Sequence, residues 1–212
     1  MANTLKGSGK IRKDPYACLV SAPLENYWVR LESITSDWLP DMDQMGADEQ
    51  VLTYMPALPG RGLTYKAHQA HILSEAKAER MAPYAVYDRA DGQWIGGATF
   101  AKIDRVHRCL GVDFIWLNEA FRTSTYHLAI QALLIERSLD WGAKRLEWRI
   151  DNRNTQAIGA IKKIGATTEG VLRASRRMAN GEWADMAVFS MVGQELRTGL
   201  EELLVKLDRM KA

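Results

Sequence analysis

Apolar residues recur along the chain with two different periods, and the changes of period divide it into elements. Residues Tyr27–Glu32 alternate and predict a first strand. Ser36 or Asp37 is placed to cap a short helix through Trp38 and Leu39, which Pro40 limits. Pro56–Gly62 reads as a loop with its turn at Pro59-Gly60. From Thr64, a good N-cap, to Met81 the spacing is helical, with Ala67, Ala70, His71, Ser74 and Ala78 forming a face of mostly small residues. Strands at 85–89 and 93–100 follow, joined by Asp91-Gly92, a dipeptide suited to a tight hairpin. Gly96-Gly97 lies inside the second of these strands with no helix after it. A bulge or a close approach of strands explains it better than a phosphate loop.

The run 108–117 predicts the third strand of an antiparallel meander. Val112, Phe114 and Trp116 are expected on one face, and Asp113, Ile115 and Leu117 on the other. A polar turn, Arg122-Thr123-Ser124-Thr125, then leads into a helix. Its stripe of Leu128, Ala132, Ile135 and Leu139 is widened by Ile130, Leu134 and Trp141, and Gly142 is its stop. Strand 145–150 comes next. Asn154 caps a helix carrying Ala157, Ala160, Ile161 and Ile164, which Gly165 closes. Strand 168–173 turns at Asn180-Gly181 into a last strand, 185–192. Leu196, Leu200, Leu203, Leu207 and Met210 then make an amphipathic C-terminal helix. Strands that mostly pair by hairpins, with helices between only some of them, predict an α/β chain of the α+β kind. Its sheet is mixed and mostly antiparallel, not doubly wound.

At 212 residues the chain is long enough for one domain with a substantial core. A net charge of +2 gives no ground for a nucleic-acid or membrane surface. No apolar run reaches membrane-spanning length, and the N-terminus lacks the apolar centre of a signal peptide, so a cytoplasmic protein is expected. Cys18 and Cys109 stand far apart in no metal-ligand spacing, which predicts free thiols and no metal. The expected organisation is a flexible basic tail over 1–18, a domain over 19–195, and a C-terminal helix over 196–212. That helix packs on the domain or on a second subunit of a homodimer.

The chemistry concentrates between Val112 and Arg173. The first N–H groups of a helix have no internal partner, and the macrodipole adds partial positive charge there. A phosphate satisfies both, and Thr123, Ser124, Thr125 and Arg122 add donors in front of the helix. The same residues also serve as simple N-caps. Asp113 is either a solvent-facing strand residue or a carboxylate in a cleft.

These elements resemble the GNAT superfamily of acyltransferases, and most of all its branch of ribosomal-protein alanine N-acetyltransferases (the RimJ/RimL type). The residues that carry the resemblance are Asn154, Ala160-Ile161-Lys162-Lys163-Ile164-Gly165-Ala166, Glu169-Gly170-Val171-Leu172-Arg173, Gly181, Asp185 and Phe189-Ser190. Upstream, Val29-Arg30-Leu31, Tyr54-Met55-Pro56, Ile103-Asp104, Trp116-Leu117 and Phe121-Arg122-Thr123 also fit, so the likeness spans about residues 27–195. It implies a sheet with a splayed parallel pair at its centre, here 111–117 and 145–150, and acyl-coenzyme A, acetyl-coenzyme A above all, held in the gap. Pantetheine would bond to the backbone of Ile115, Trp116 and Leu117, and the pyrophosphate would sit at Arg122, Thr123, Ser124, Thr125, Tyr126 and His127. Asn154 would touch the cofactor, cap its own helix, or do both. The implied reaction is direct attack by a primary amine, of a protein N-terminus or a small molecule, on the thioester. A backbone N–H steadies the oxyanion, and a base takes the proton.

The chain departs from that pattern at specific places. Thr125 and His127 stand where the phosphate loop usually has glycine or alanine. Ala157 replaces the serine expected as acid, and Arg176 stands near the place of the carboxylate expected as base. Asp113, where a small residue is usual, and Glu147 are the substitute catalytic candidates, with Tyr126 and His127 also near the gap. The same departures motivate an alternative, a catalytically impaired acyl-coenzyme A-binding or sensor protein of this fold.

Overall fold

The computed structural model describes residues 15–21, 23–34, 53, 54, 56, 57 and 65–211. The expected helix at Trp38–Leu39, the turn at Pro59-Gly60 and the Thr64 cap lie outside the described residues. Among those described, the chain forms α1 (Pro15–Leu19), β1 (Leu24–Glu25), β2 (Val29–Ser33), α2 (Tyr65–Lys77), β3 (Ala82–Asp88), β4 (Trp94–Asp104) and β5 (Cys109–Leu117). A 3-10 turn, Glu119–Phe121, precedes α3 (Ser124–Trp141). Then come β6 (Arg145–Asp151), α4 (Thr155–Lys163), β7 (Thr167–Arg177), β8 (Trp183–Val192) and α5 (Gln194–Arg209). The eight strands make one sheet in the order β1-β2-β3-β4-β5-β6-β8-β7. Every neighbouring pair is antiparallel except β5 and β6, which α3 connects. The meander β3-β4-β5 and the hairpin β7–β8 form as the turn residues predict. Local sequence did not indicate that β8, not β7, would pair with β6.

Helix α3 is the pillar of the core. Leu128, Ile130, Leu133, Leu134 and Ile135 are all buried, more than one stripe of a surface helix requires. The helix is covered on several sides, packing against β2, α1 and α5. Each such aliphatic side chain contributes about 1.5–3 kcal/mol on full burial. Truncating Leu134 to alanine therefore removes about 2–5 kcal/mol once the cavity is counted. Gly142 ends the helix in the left-handed region (φ +83°), and its N–H donates to the Leu139 carbonyl at 2.9 Å. Helix α5 sets Leu196, Leu203 and Leu207 into the same core while Leu204 and Val205 stay exposed.

Three details correct the pattern read from the sequence. Ala70 and Ser74 of α2 and Ala78 just after it are exposed, and the protein-facing side carries His68, Gln69, Ile72 and Leu73. In β5 the strict alternation breaks. Gly97 pairs with Trp116 and Thr99 with Asp113, so two steps on β4 face three on β5, and Phe114 takes the extra place at φ +51°. Docked structure also begins before residue 19. Leu19 is fully buried, Tyr16 Oη donates to the Met81 carbonyl at 2.8 Å, and Arg137 donates to the Cys18 carbonyl at 2.8 Å.

Parallel pairing of β5 with β6 runs from Cys109↔Arg145 to Val112↔Trp148 and stops. Strand β6 goes on pairing with β8 to Asp151↔Met186. Beyond Val112, the edge of β5 that faces β6 has no strand partner among the described residues. The two strands part where the bulge begins.

Candidate functional site

The gap opens into a cleft of about 630 Å³. Its walls are Asp113–Leu117 of β5, Trp148–Asp151 of β6, Asn154–Ala157 at the start of α4, and Gly96–Thr99 of β4. Arg122, Thr123, Ser124, His127 and Gln131 close one end, around the start of α3, while His68, Gln69, Ile72 and Leu73 of α2 line another part of it.

Close packing of β4 on β5 shapes the floor. A Cβ on Gly96 would overlap the Trp116 carbonyl oxygen and lie 3.0 Å from Leu117 Cα. One on Gly97 would lie 2.7 Å from Trp116 Nε1. Only glycine lets the two strands approach this closely.

At the head of α3, Thr123 is the N-cap, but its side chain makes no capping hydrogen bond. Thr123 and Ser124 are exposed at the cleft. Such a terminus suits an anion. Arg122 is tethered beside it by its Nε, which donates to the Leu117 carbonyl at 2.8 Å. Among the described lining residues, the cations Arg122, Arg149, Lys163 and Arg176 outnumber the carboxylates Asp113 and Asp151, which gives the lining a positive balance suited to an anionic ligand. Asn154 caps α4 by accepting the Ala157 N–H at 3.0 Å and also lines the cleft, so its two expected roles are compatible. Among the described residues of the cleft lining, two buried side-chain nitrogens of α3 have no hydrogen-bond partner: Nε2 of His127, and Nε2 of Gln131, whose Oε1 accepts from Trp148 Nε1 at 3.2 Å. Both residues line the cleft one helical turn apart. Burial holds the His127 imidazole down to about 4, so it is neutral at pH 7 and carries one donor and one acceptor. Unpaired polar atoms facing a cleft are what a ligand rich in amides and phosphates would satisfy.

Of the expected cofactor contacts, Ile115, Trp116, Leu117, Arg122, Thr123, Ser124, His127 and Asn154 line this one cleft. The side chains of Thr125 and Tyr126 turn elsewhere. Thr125 Oγ1 donates to Met210 Sδ at 3.7 Å on the C-terminal side of the fold. Tyr126 Oη donates to Asp88 at 2.8 Å, its ring against Phe121 and Trp28, and burial together with that carboxylate pushes the phenol up to about 12.

The two catalytic candidates are separated. Glu147 lines a second, more open hollow, not the cleft. It accepts from Arg149 at 2.5 Å and Arg145 at 2.8 Å, with Lys102 at 3.5 Å. Burial raises its pKa, but those hydrogen bonds outweigh burial and hold it below the ordinary value. Asp113 stands where cleft and hollow meet, together with Phe114, Arg149 and Arg176. Its carboxylate accepts from Arg176 Nη2 at 3.0 Å and from the Phe114 N–H at 3.0 Å. Both side chains of the Asp113–Arg176 pair are 20% exposed. Two positions that depart separately from the resemblance therefore meet in one ion pair across the gap.

Sequence reasoning missed Gln131 and His68. The available signals were a polar residue within the broad apolar surface of α3, and the pairing of His68 with Ile72 at helical spacing in a segment otherwise short of large apolar residues.

A model of the acetyltransferase (GNAT) domain family matches residues 29–167. No curated protein matches the sequence. Among solved structures, a GCN5-related N-acetyltransferase from Brucella melitensis is 23% identical with a TM-score of 0.75, covering 88% of this chain and 85% of its own. Mycobacterium smegmatis RimJ in complex with CoA-disulfide is 18% identical, with a TM-score of 0.67 over 89% of this chain and 94% of that one. Spermidine N-acetyltransferase from Vibrio cholerae, in complex with CoA and spermine, is 13% identical, with a TM-score of 0.66 over 81% of this chain and 99% of that one. At these identities the likeness is one of fold.

Proposed function

The chain belongs to the GNAT acetyltransferase domain family, and from that premise we propose that it transfers an acetyl group from acetyl-coenzyme A to a primary amine by direct attack. The observation that carries the reading is the parting of β5 from β6 beyond Val112, with a cationic, phosphate-suited helix terminus at one end of the resulting cleft. The bound CoA of the Mycobacterium smegmatis and Vibrio cholerae structures supports it.

Acyl-coenzyme A supplies the activated acyl group as a thioester. The chain's residues bind and orient it. The edge of β5 beyond Val112, which no described strand pairs, suits the amides of pantetheine. The first N–H groups of α3, with Thr123, Ser124 and Arg122, receive the pyrophosphate, and Asn154, Gln131 and His127 offer side-chain contacts. Bound in that direction, with phosphates at the start of α3 and the arm running back along Leu117, Trp116 and Ile115, the acyl end falls near the bulge at Phe114. The amine is that of a protein N-terminus or of a small molecule. The branch that the sequence most resembles favours the first, and a polyamine acetyltransferase among the structural neighbours keeps the second in view.

The test is to incubate the protein with acetyl-coenzyme A and a panel of primary amines, including peptides with free N-termini and polyamines, and to follow release of free thiol. Transfer to at least one amine is expected. Calorimetric binding of acetyl-coenzyme A without thiol release from any amine would replace this reading with a sensor or binding role. Failure to bind coenzyme A or acetyl-coenzyme A would end both.

A further inference from the structure

The unpartnered buried nitrogens of the cleft lie on two elements. Those of His127 and Gln131 belong to α3, beside the phosphate end. The others are both ring nitrogens of His68 on α2. His68 is only 5% exposed and lines the cleft, yet neither Nδ1 nor Nε2 has a hydrogen-bond partner. Native interiors rarely leave such a group unsatisfied, and the exceptions gather where a ligand or reaction uses them. The ring stands edge-on to Phe114, with centroids 4.4 Å apart. Phe114 is the bulge residue held at positive φ where β5 leaves β6. Strain of that kind persists only where the surroundings enforce it, and it clusters at functional sites.

Direct attack needs a group with a lone pair near the acyl carbon. Among the described residues, both carboxylates of the cleft are engaged: Asp113 by Arg176 and the Phe114 N–H, Asp151 by Arg153 at 2.8 Å. Tyr84 Oη donates to the Leu19 carbonyl. Glu147 belongs to the other hollow. Of the two cleft imidazoles with an unpartnered nitrogen among the described residues, His127 stands at the start of α3, the phosphate end, which leaves His68 beside the bulge, a neutral imidazole with one nitrogen free to accept.

We propose that His68 is the general base of the transfer, the group that takes the proton from the attacking amine. The assignment rests on the acetyltransferase reading of the cleft. The amine nitrogen bonds to the acyl carbonyl carbon while one of its protons passes to the free ring nitrogen of His68. The carbon–sulfur bond breaks, and the proton passes from the imidazolium to the departing thiolate, leaving the amide and free coenzyme A. Burial, with His71 adding to it, holds the imidazole down to about 4, so the ring is unprotonated and ready at neutral pH. A strong base is not required, because the amine proton becomes acidic as the new bond forms.

The competing account is that the ring merely packs on Phe114. His68→Gln and His68→Ala separate the two. Both variants are expected to bind acetyl-coenzyme A within about twofold of wild type by calorimetry, which also reports that each is folded. Turnover of the amines that wild type accepts should fall by about 10²–10⁴-fold. Added imidazole should restore part of the lost rate in His68→Ala. In ¹⁵N-histidine-labelled protein, the His68 ring signals, assigned by their loss in His68→Gln, should move when acetyl-coenzyme A is added. Variants that keep wild-type turnover, a loss that imidazole does not relieve, or ring signals unmoved at saturating acetyl-coenzyme A would each overturn the assignment. If wild type itself acetylates no amine, the acetyltransferase reading falls and His68 with it. If wild type is active and the variants match it, only His68 falls.

Discussion

Replacing Gly96 with alanine should push β5 away from β4 at the point where the cleft floor is formed. The new methyl group would overlap the Trp116 carbonyl oxygen and approach Leu117 Cα to 3.0 Å and Leu117 Cδ2 to 2.9 Å. Two of these three obstacles are backbone, which no change of rotamer can move. Overpacking of a core costs about 1–3 kcal/mol, and a backbone clash belongs at the upper end, near 3 kcal/mol. For a chain of this size that corresponds to a fall in melting temperature of about 6–12 °C. Trp116 and Leu117 are also the residues proposed to hold the pantetheine arm. A displacement on the order of 1 Å there would cost about 100-fold in transfer rate. The neighbouring variant is the control. In Gly97→Ala the close contacts, Trp116 Nε1 at 2.7 Å and Cε2 at 3.3 Å, belong to a side chain, which can turn where backbone cannot, and the nearest backbone atom, the Tyr84 carbonyl oxygen, is 3.5 Å away. Its cost should be about 1 kcal/mol. Thermal melts followed by circular dichroism, with acetyl-coenzyme A titrated calorimetrically into each variant, measure both effects. A Gly96→Ala protein that melts like wild type and binds acetyl-coenzyme A equally well would refute the reasoning. So would a Gly97→Ala protein harmed more than Gly96→Ala.

The Asp113–Arg176 pair should show coupling in a double-mutant cycle. With both side chains 20% exposed, Asp113→Asn and Arg176→Gln should each cost about 1–2 kcal/mol by urea denaturation, and the double variant should cost about 1 kcal/mol less than their sum. Additivity within about 0.3 kcal/mol would mean that the pair holds nothing together. Acid sensitivity provides another measurement. Burial holds His68 and His127 down to about 4, below their unfolded value of 6.5, so the unfolded chain binds more protons between those limits. Stability from these two groups is complete above about pH 6.5 and is lost as pH falls towards 4, by about 3 kcal/mol for each histidine. His127→Leu should flatten that decline in urea melts between pH 7 and pH 4.5, and an unchanged decline would contradict the burial of a neutral ring.

What the sequence revealed and what it concealed divide along physical lines. The turn at Asp91-Gly92, the stop at Gly142 and the broad apolar surface of α3 are local signals, and they predicted the meander and the central helix. The close packing behind Gly96-Gly97 was legible for the same reason, since a glycine pair inside a strand has few other uses. The place of β8 between β6 and β7 depends on pairing across many residues, which no local pattern encodes. The bulge at Phe114 left no trace because a phenylalanine is an unusual occupant of φ +51°. The face of α2 was misjudged because its small residues point outward, while the side turned to the cleft carries His68 and Gln69. A polar residue facing a cleft reads, in sequence, like one facing solvent.

Asp113 and Arg176 show the same divide from the other side. Taken one at a time, the resemblance makes each a defect: a carboxylate where a small residue is usual, and a cation near the place of a base. The structure pairs them at 3.0 Å across 63 positions of sequence, so each accounts for the other's presence. The Arg176 cation that faces the carboxylate ties β7 to the central strand across the mouth of the gap. An Asp113 carboxylate that accepts from both Arg176 and the Phe114 N–H is poorly free to take a proton from an incoming amine. It also occupies the Phe114 N–H, so in the proposed reaction a backbone donor for the developing oxyanion would have to come from another residue of β5. The departures that argued against catalysis thus redirect it towards the buried, unpaired imidazole of His68, one ring's width from the bulge.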